Sequence, residues 1–367
     1  MIALTSCTGG AVLTALLILR ASLKVSKIPA VGARKVSKTP AVGAGWINAT
    51  LFITALCSYP FLFLIDRGNV EGVVWVFAFL AIAFFAGKHF LASALFLAAA
   101  VCIKPFPALL FFIFLRKGRY KEIAAALVAF GAVNLIALKA LGPTVGIAFD
   151  GLERGVRTYQ SAYITSFRSM EIGFDHSLFA CVKQLIRLSL GWPSSETLHG
   201  VLSTTYILWI PVACLILVTC GFYFWNRPVL NQLFAIVLLI LLLSPSSGDY
   251  TLVHLYLPWG VFMVFLIRDV GSGKVPLSLA NCLWILIPCA VLMTPQSYLT
   301  LAGGGFAGQF KAVVMVLLLI VVARIDMPST LFNEAPPYVS NADRLIALGT
   351  DNSLRAIQLE RILRDGD

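Results

Sequence analysis

Charge is what this sequence has least of. Asp, Glu, Lys and Arg together make up 12% of its 367 residues, and no acidic residue occurs before Asp66. Soluble domains carry roughly a quarter charged residues and about 45–50% apolar ones. The chain is 59% hydrophobic, with a mean hydropathy of +0.89. Those values exclude a soluble globular enzyme, a disordered protein and a secreted disulfide scaffold. Cysteine spacing adds a second absence: none of the eight cysteines forms a CxxC pair or a ligand cluster with histidine. They lie mostly in apolar runs and read as small packing residues, so no metal site is expected. The opening residues lack a basic stretch before the apolar run, so they read as a span rather than a cleaved leader.

What is present is a series of long, continuous apolar runs. These argue for an all-α, polytopic membrane protein and against an outer-membrane barrel, whose strands would alternate. About eleven helices are expected, near 7–22, 47–64, 70–87, 89–103, 105–116, 120–141, 201–225, 229–245, 250–268, 276–295 and 307–324. Several fall short of the ~20 residues a straight crossing requires. Pro60 and the Lys104-Pro105 junction interrupt others, and broken helices persist where protein or a water-filled cavity takes up the freed backbone groups. The organisation predicted is a membrane domain over 1–325, followed by a polar tail over 326–367 that ends in an amphipathic stretch.

Basic residues then orient the chain. Lys24, Lys27, Arg34, Lys35 and Lys38 lie in the 24–45 loop; Arg116, Lys117, Arg119 and Lys121 lie in another; Arg227, Arg268 and Lys274 lie in later turns. Strict alternation places all of them on one side, the cytoplasm by the positive-inside rule. The tail is then cytoplasmic and the N-terminus extracytoplasmic. That start is unusual for a chain that opens directly into a helix, so upstream helices are expected to be missing from this sequence. The 24–45 loop also contains a tandem duplication, Lys24 to Ala33 and Lys35 to Ala44, differing at one position. A tolerant loop tip accounts for it.

The opposite face collects the polar residues. Asp66-Arg67-Gly68-Asn69-Val70-Glu71 follows the proline-broken helix, where charges are costly unless paired or hydrated. They form either a capped turn or one wall of a cavity, with Asn69 placed to cap the next helix. Lys104 ends a very apolar helix and must reach an anion, a carbonyl or water; snorkelling and contact with a phosphate both satisfy it. The 142–200 segment, with Asp150, Glu153, Asp175 and His176, is the longest polar stretch between helices, and its serines and aromatics argue for order. Ser247 and Asp249 lie in the turn 244–249, with Asp249 placed to cap the helix it opens. His254 follows one turn later, either packed or facing a cavity.

These segments, taken in order, resemble the polytopic glycosyltransferases of family 87. The run Tyr59-Pro60 to Asn69 is similar to that family's Pro…Gly-Gln pattern, and Lys104-Pro-Phe-Pro107 before Arg116-Lys-Gly-Arg119 to its Lys-x-x-Pro break and basic turn. Asp175-His176-Ser177-Leu178 is similar to its Asn-Gln-Ser-Leu segment, and Ser244-Pro-Ser-Ser-Gly-Asp249…His254 to its Ser-Pro-(Ile/Val)-Ser-Trp-x-x-His stretch. The sequence departs from the pattern in Asn69 for Gln, in Gly248 for Trp, and in having no acid ahead of Asp66.

The resemblance implies a GT-C-like membrane fold in the plasma or inner membrane. It also implies an inverting, metal-independent hexosyltransferase that uses no cofactor. Its donor would be a polyprenyl-monophosphate sugar, mannose-like, and its acceptor a lipid or glycan on the extracytoplasmic face. Membrane lipids are the remaining partners, and no nucleic acid is implied. Lys104, Arg67 and His254 are then expected to hold the donor phosphate, and Asn69, Glu71, His176, Ser247 and Asp249 to line the substrate cavity. The family's early catalytic carboxylate has no counterpart before Asp66, so Asp66, Asp150, Glu153 and Asp175 stand as candidate bases. A transporter or flippase of a lipid-linked or small polar substrate, or a non-catalytic truncated homologue, is the alternative. A transporter would be expected to show an internal helix repeat, and the sequence shows only the short basic duplication.

Overall fold

A computed structural model describes residues 58–166, 169–190, 195–271, 277–295 and 306–327. The two N-terminal helices expected near 7–22 and 47–64 lie wholly or mostly outside these residues, as do the basic duplication and nearly all of the 326–367 tail. Within them the chain contains thirteen α-helices and no strand. They are α1 (Tyr59–Asp66), α2 (Glu71–Ala86), α3 (Phe90–Ile103), α4 (Phe111–Arg116), α5 (Tyr120–Leu141), α6 (Val145–Tyr159) and α7 (Ser169–Phe174). After these come α8 (Leu178–Leu190), α9 (Ser195–Phe224), α10 (Val229–Leu243), α11 (Tyr256–Gly271), α12 (Leu279–Leu292) and α13 (Ala307–Arg324).

Local chemistry sets the helix ends that matter for the site. Pro60 occupies the first turn of α1, where its missing N–H costs nothing. Gly68 ends α1 in a left-handed conformation, φ +55°, and the Asn69 N–H closes back on the Leu64 carbonyl at 3.2 Å. Asn69 then serves as the predicted cap: its Oδ1 accepts from the Glu71 N–H at 3.0 Å. At the far end of α3, Pro105 forces the residue before it out of helical geometry, and Lys104 is extended at φ −142°, ψ 139°. A 3-10 turn over Phe106–Leu110 then restarts the chain toward α4. The polar 142–200 segment is largely helical, with α6, a π-turn over Gln160–Ile164, α7 and α8. The helix expected from 250 begins as a 3-10 turn, Asp249–Leu255, before continuing as α11.

Apolar helices divide by environment. Helices α5, α13 and the stretch His199–Phe224 within α9 are long and apolar enough to cross a membrane. Of α5 only Ala126 is buried, while Leu127 and Val128 are 62% and 73% exposed, as side chains facing lipid would be. By contrast all fifteen residues of α10 are buried. This helix packs against α13 and α11, and its Leu230, Phe234, Leu238 and Leu241 form one core with Phe262, Ile285, Met315 and Leu318. At ~1.5 Å per residue, fifteen residues rise only about 22 Å, so α10 is an internal strut and not a full crossing on its own.

Candidate functional site

Two ionic clusters form where helix ends meet, and the Asp249–Leu255 turn belongs to both. The first is centred on Glu71, the opening residue of α2, which is fully buried. Its Oε1 lies 2.9 Å from His254 Nε2, and Oε2 forms an ion pair with Lys104 Nζ. The Lys104-Pro-Phe-Pro break makes two of the site's contacts at once. Lys104 reaches Glu71, and the Phe106 ring meets the edge of His254 at 5.1 Å between centroids. Glu71 and His254 side chains are 1% and 3% exposed, whereas Lys104 is 29% exposed. The cluster therefore presents one cation outward and keeps its carboxylate inside. An isolated carboxylate could not be held there, since the desolvation penalty is several kcal/mol per ion without partners.

The second cluster is wholly internal. Asp175 Oδ1 accepts from the Ser177 N–H at 2.9 Å and the Ser247 N–H at 3.0 Å, and the His176 N–H donates to the Ser247 carbonyl at 3.0 Å. These bonds stitch the 142–200 segment to the turn after α10. His176 Nε2 lies 2.8 Å from Ser247 Oγ, which is also 2.9 Å from Thr251 Oγ1. Lys311 Nζ, from α13, donates to Asp249 Oδ1 at 2.8 Å. Burial pushes the Asp175 carboxyl up, against the pull of its two N–H donors. Burial, reinforced by the Lys311 charge, holds the His176 imidazole well below its usual range, so it is neutral at pH 7.

Ser247, His176 and Asp249 follow the order of a nucleophilic triad, but the geometry does not serve one. His176 Nδ1 stands 3.8 Å from Asp249 Oδ1, beyond hydrogen-bond range, and Ser247 is 1% exposed. The arrangement ties loops together. Tyr250 lies between the two clusters, within electrostatic range of both Glu71 and Asp175. Among the described residues no three of His, Cys, Asp and Glu converge as metal ligands.

The residues named from the sequence separate accordingly. Asn69, Glu71, Lys104 and His254 come together, as do Asp175, His176, Ser247 and Asp249. Asp249 does not cap its turn with its side chain; the carboxylate turns inward to Lys311 instead. Asp66 and Arg67 are exposed, with the Arg67 guanidinium 5.0 Å above the Phe63 ring. Asp150 and Glu153 are exposed on α6, and Glu153 pairs with Arg157 at 2.6 Å. Lys311 and Thr251 were not anticipated. Lys311 had a signal, being a lone cation one turn inside an otherwise apolar helix.

The sequence model of glycosyltransferase family 87 matches residues 1–245, two thirds of the chain. The chain belongs to glycosyltransferase family 87. No curated protein and no solved structure matches it. The matched stretch of this family 87 transferase contains Glu71, Lys104, Asp175 and His176. Their partners Ser247, Asp249, His254 and Lys311 all lie beyond it. Each cluster thus joins residues inside the matched region to residues outside it, and packing of α11 and α13 against the earlier helices brings them together.

Proposed function

We propose that this family 87 protein transfers a hexose, mannose-like, from a polyprenyl-monophosphate donor to a lipid or glycan acceptor. Transfer would occur at the face that the distribution of basic loops marks as extracytoplasmic, in the plasma or inner membrane. The observation that carries the reading is the Glu71–Lys104–His254 cluster. A sugar linked through a phosphodiester to a polyprenyl chain has one negative charge on the phosphate. When the bond from the sugar C1 to the phosphate oxygen breaks, the leaving polyprenyl phosphate gains a second. A cation fixed in place before the reaction favours that change, because it need not reorganise as the charge develops.

Lys104 is suited to this role. Its ammonium is fixed by Glu71 on the buried side and has an open flank on the other. His254 is oriented by the same carboxylate and adds a ring N–H or acceptor beside it. Glu71 engages both oxygens with these partners, so its role is to orient them. The proton released by the acceptor hydroxyl, as its oxygen attacks C1 and inverts it, goes to a carboxylate outside the buried clusters. Asp66, exposed at the end of α1 just before the turn that carries Asn69 and leads to Glu71, is the nearest in sequence. Asp175 is committed to two backbone N–H groups, and Glu153 to Arg157. A transporter would place its polar groups at mid-membrane on broken repeats; here they sit at helix ends.

The test is transfer of label from polyprenyl-phosphate mannose, in membranes containing the full chain. Lys104→Ala is expected to lower transfer by ~100-fold, the usual scale for one stabiliser of developing charge. His254→Ala is expected to lower it by about 10-fold or more. Full activity in both variants would sink the assignment.

A further inference from the structure

The first turn of α13 touches both clusters' supporting segments, and nothing in the matched region accounts for it. Three contacts are made there. Gly308 lies against the Asp175 backbone so closely that a Cβ on it would collide with the Asp175 carbonyl oxygen. Gln309 Nε2 donates to the Ile172 carbonyl at 2.7 Å. Lys311, fully buried, donates to Asp249 Oδ1 at 2.8 Å. Asp249 opens the 3-10 turn whose sixth residue, His254, bonds Glu71.

A lysine inside an apolar helix is costly, and a buried ion pair adds little net stability over apolar residues of similar volume. What the pair does add is geometry. It fixes where the turn begins, and a turn of seven residues has little slack by its end.

We propose that Lys311 is a positioning residue of the transferase site: through Asp249 it clamps the turn that presents His254 to Glu71. The role of the clamp in sugar transfer rests on the transferase reading above; its effect on His254 does not, and the experiment separates the two. The full chain, purified in detergent, is treated with diethyl pyrocarbonate, which labels accessible neutral imidazoles, and each histidine is followed by peptide mass spectrometry. The sequence has four, of which His89 and His199 are exposed and serve as internal references.

In the wild type His254, 2% exposed, is protected. In Lys311→Met/Asp249→Asn, which removes both charges together and so leaves no unpaired charge, labelling at His254 is expected to rise at least about tenfold relative to His89. Lys311→Arg, which keeps the cation, is expected to retain most of the protection. Maleimide labelling of Cys289, fully buried on α12, reports general loosening. His254 staying protected in the double variant overturns the clamp, and so does an equal rise at Cys289, which would mark a plain packing role. With polyprenyl-phosphate mannose, the double variant is expected to lose ~100-fold in kcat with KM for donor within about threefold, and Lys311→Arg to recover most of it. A wild-type chain that transfers no sugar defeats the transferase reading, and the labelling result still decides the clamp.

Discussion

The Glu71 and Asp249 clusters share a core of three residue types and differ in exposure. Each has a buried carboxylate, a lysine and a histidine. In the Glu71 cluster the lysine is 29% exposed, while in the Asp249 cluster lysine, carboxylate and histidine side chains are all at or below 2%. A cation with an open flank can act on something that arrives from outside. One enclosed on every side can act only on the protein. On the transferase reading proposed above, the difference separates a site from its scaffold, and it follows from the chain: Lys104 hangs from an extended residue before a proline, whereas Lys311 projects from the middle of a helical turn.

The comparison breaks most sharply if the carboxylates are exchanged for amides one at a time. Glu71→Gln leaves Lys104 and His254 without their anion. Transfer is expected to fall by ~100-fold or more, as Lys104 loses its orientation. Stability should fall too, by about 3–5 kcal/mol, the usual cost of breaking a buried pair. Transfer assays and thermal unfolding in detergent measure the two effects. Retention of near wild-type transfer would show that Glu71 orients nothing the reaction uses.

A smaller effect is expected from Gly308→Ala, which leaves every charge in place. The added methyl would collide with the Asp175 backbone, so α13 or the 175–177 segment must move. A loss of about 1–3 kcal/mol is expected, the range for an overpacked contact, with a partial loss of transfer. Unchanged unfolding would mean that the two segments separate at little cost. His176 then gives a pH signature confined to the enclosed cluster. Its folded-state pKa lies below the ordinary 6.5, so below pH 6.5 the unfolded chain takes up a proton that the folded chain does not. The stability it contributes is whole above pH 6.5 and declines as pH falls further. His176→Gln should flatten that acid limb in a series of unfolding measurements. An unchanged slope would place the proton elsewhere.

Much of this was legible in the chain, and the boundary of legibility has a physical cause. Helices α2, α3, α5 and α13 fall within a residue or so of their apolar runs, because span length and proline breaks are local properties. The Asn69 cap and the extended Lys104 follow from the residues beside them. Which helix would be enclosed was not legible. Both α5 and α10 are apolar nearly throughout, yet one has a single buried residue and the other has only buried residues. Hydropathy registers the transfer of a side chain out of water, and lipid and protein interior are alike in that respect. The ion pairs were hidden for a related reason. Glu71 and His254 are 183 residues apart, and Asp249 and Lys311 are 62 apart, so no spacing rule connects them. Lys311 was visible as an anomaly, but its partner was not.

The smallest effect expected is at an ion pair of the ordinary kind, and it tests whether burial is the deciding variable. Arg227, on the short turn before α10, bonds Asp326 at 2.6 Å, with Tyr223 Oη also within 3.0 Å of its guanidinium. The distance is shorter than the 2.8 Å between Lys311 and Asp249, but the Asp326 side chain is 58% exposed. Water already solvates both ions before they meet, so their separation costs little. Asp326→Asn should therefore shift stability by less than ~1 kcal/mol and leave sugar transfer unchanged. If it instead destabilised the chain as strongly as Glu71→Gln, short distance rather than enclosure would govern these pairs. The contrast between an open site and a closed scaffold would then lose its basis.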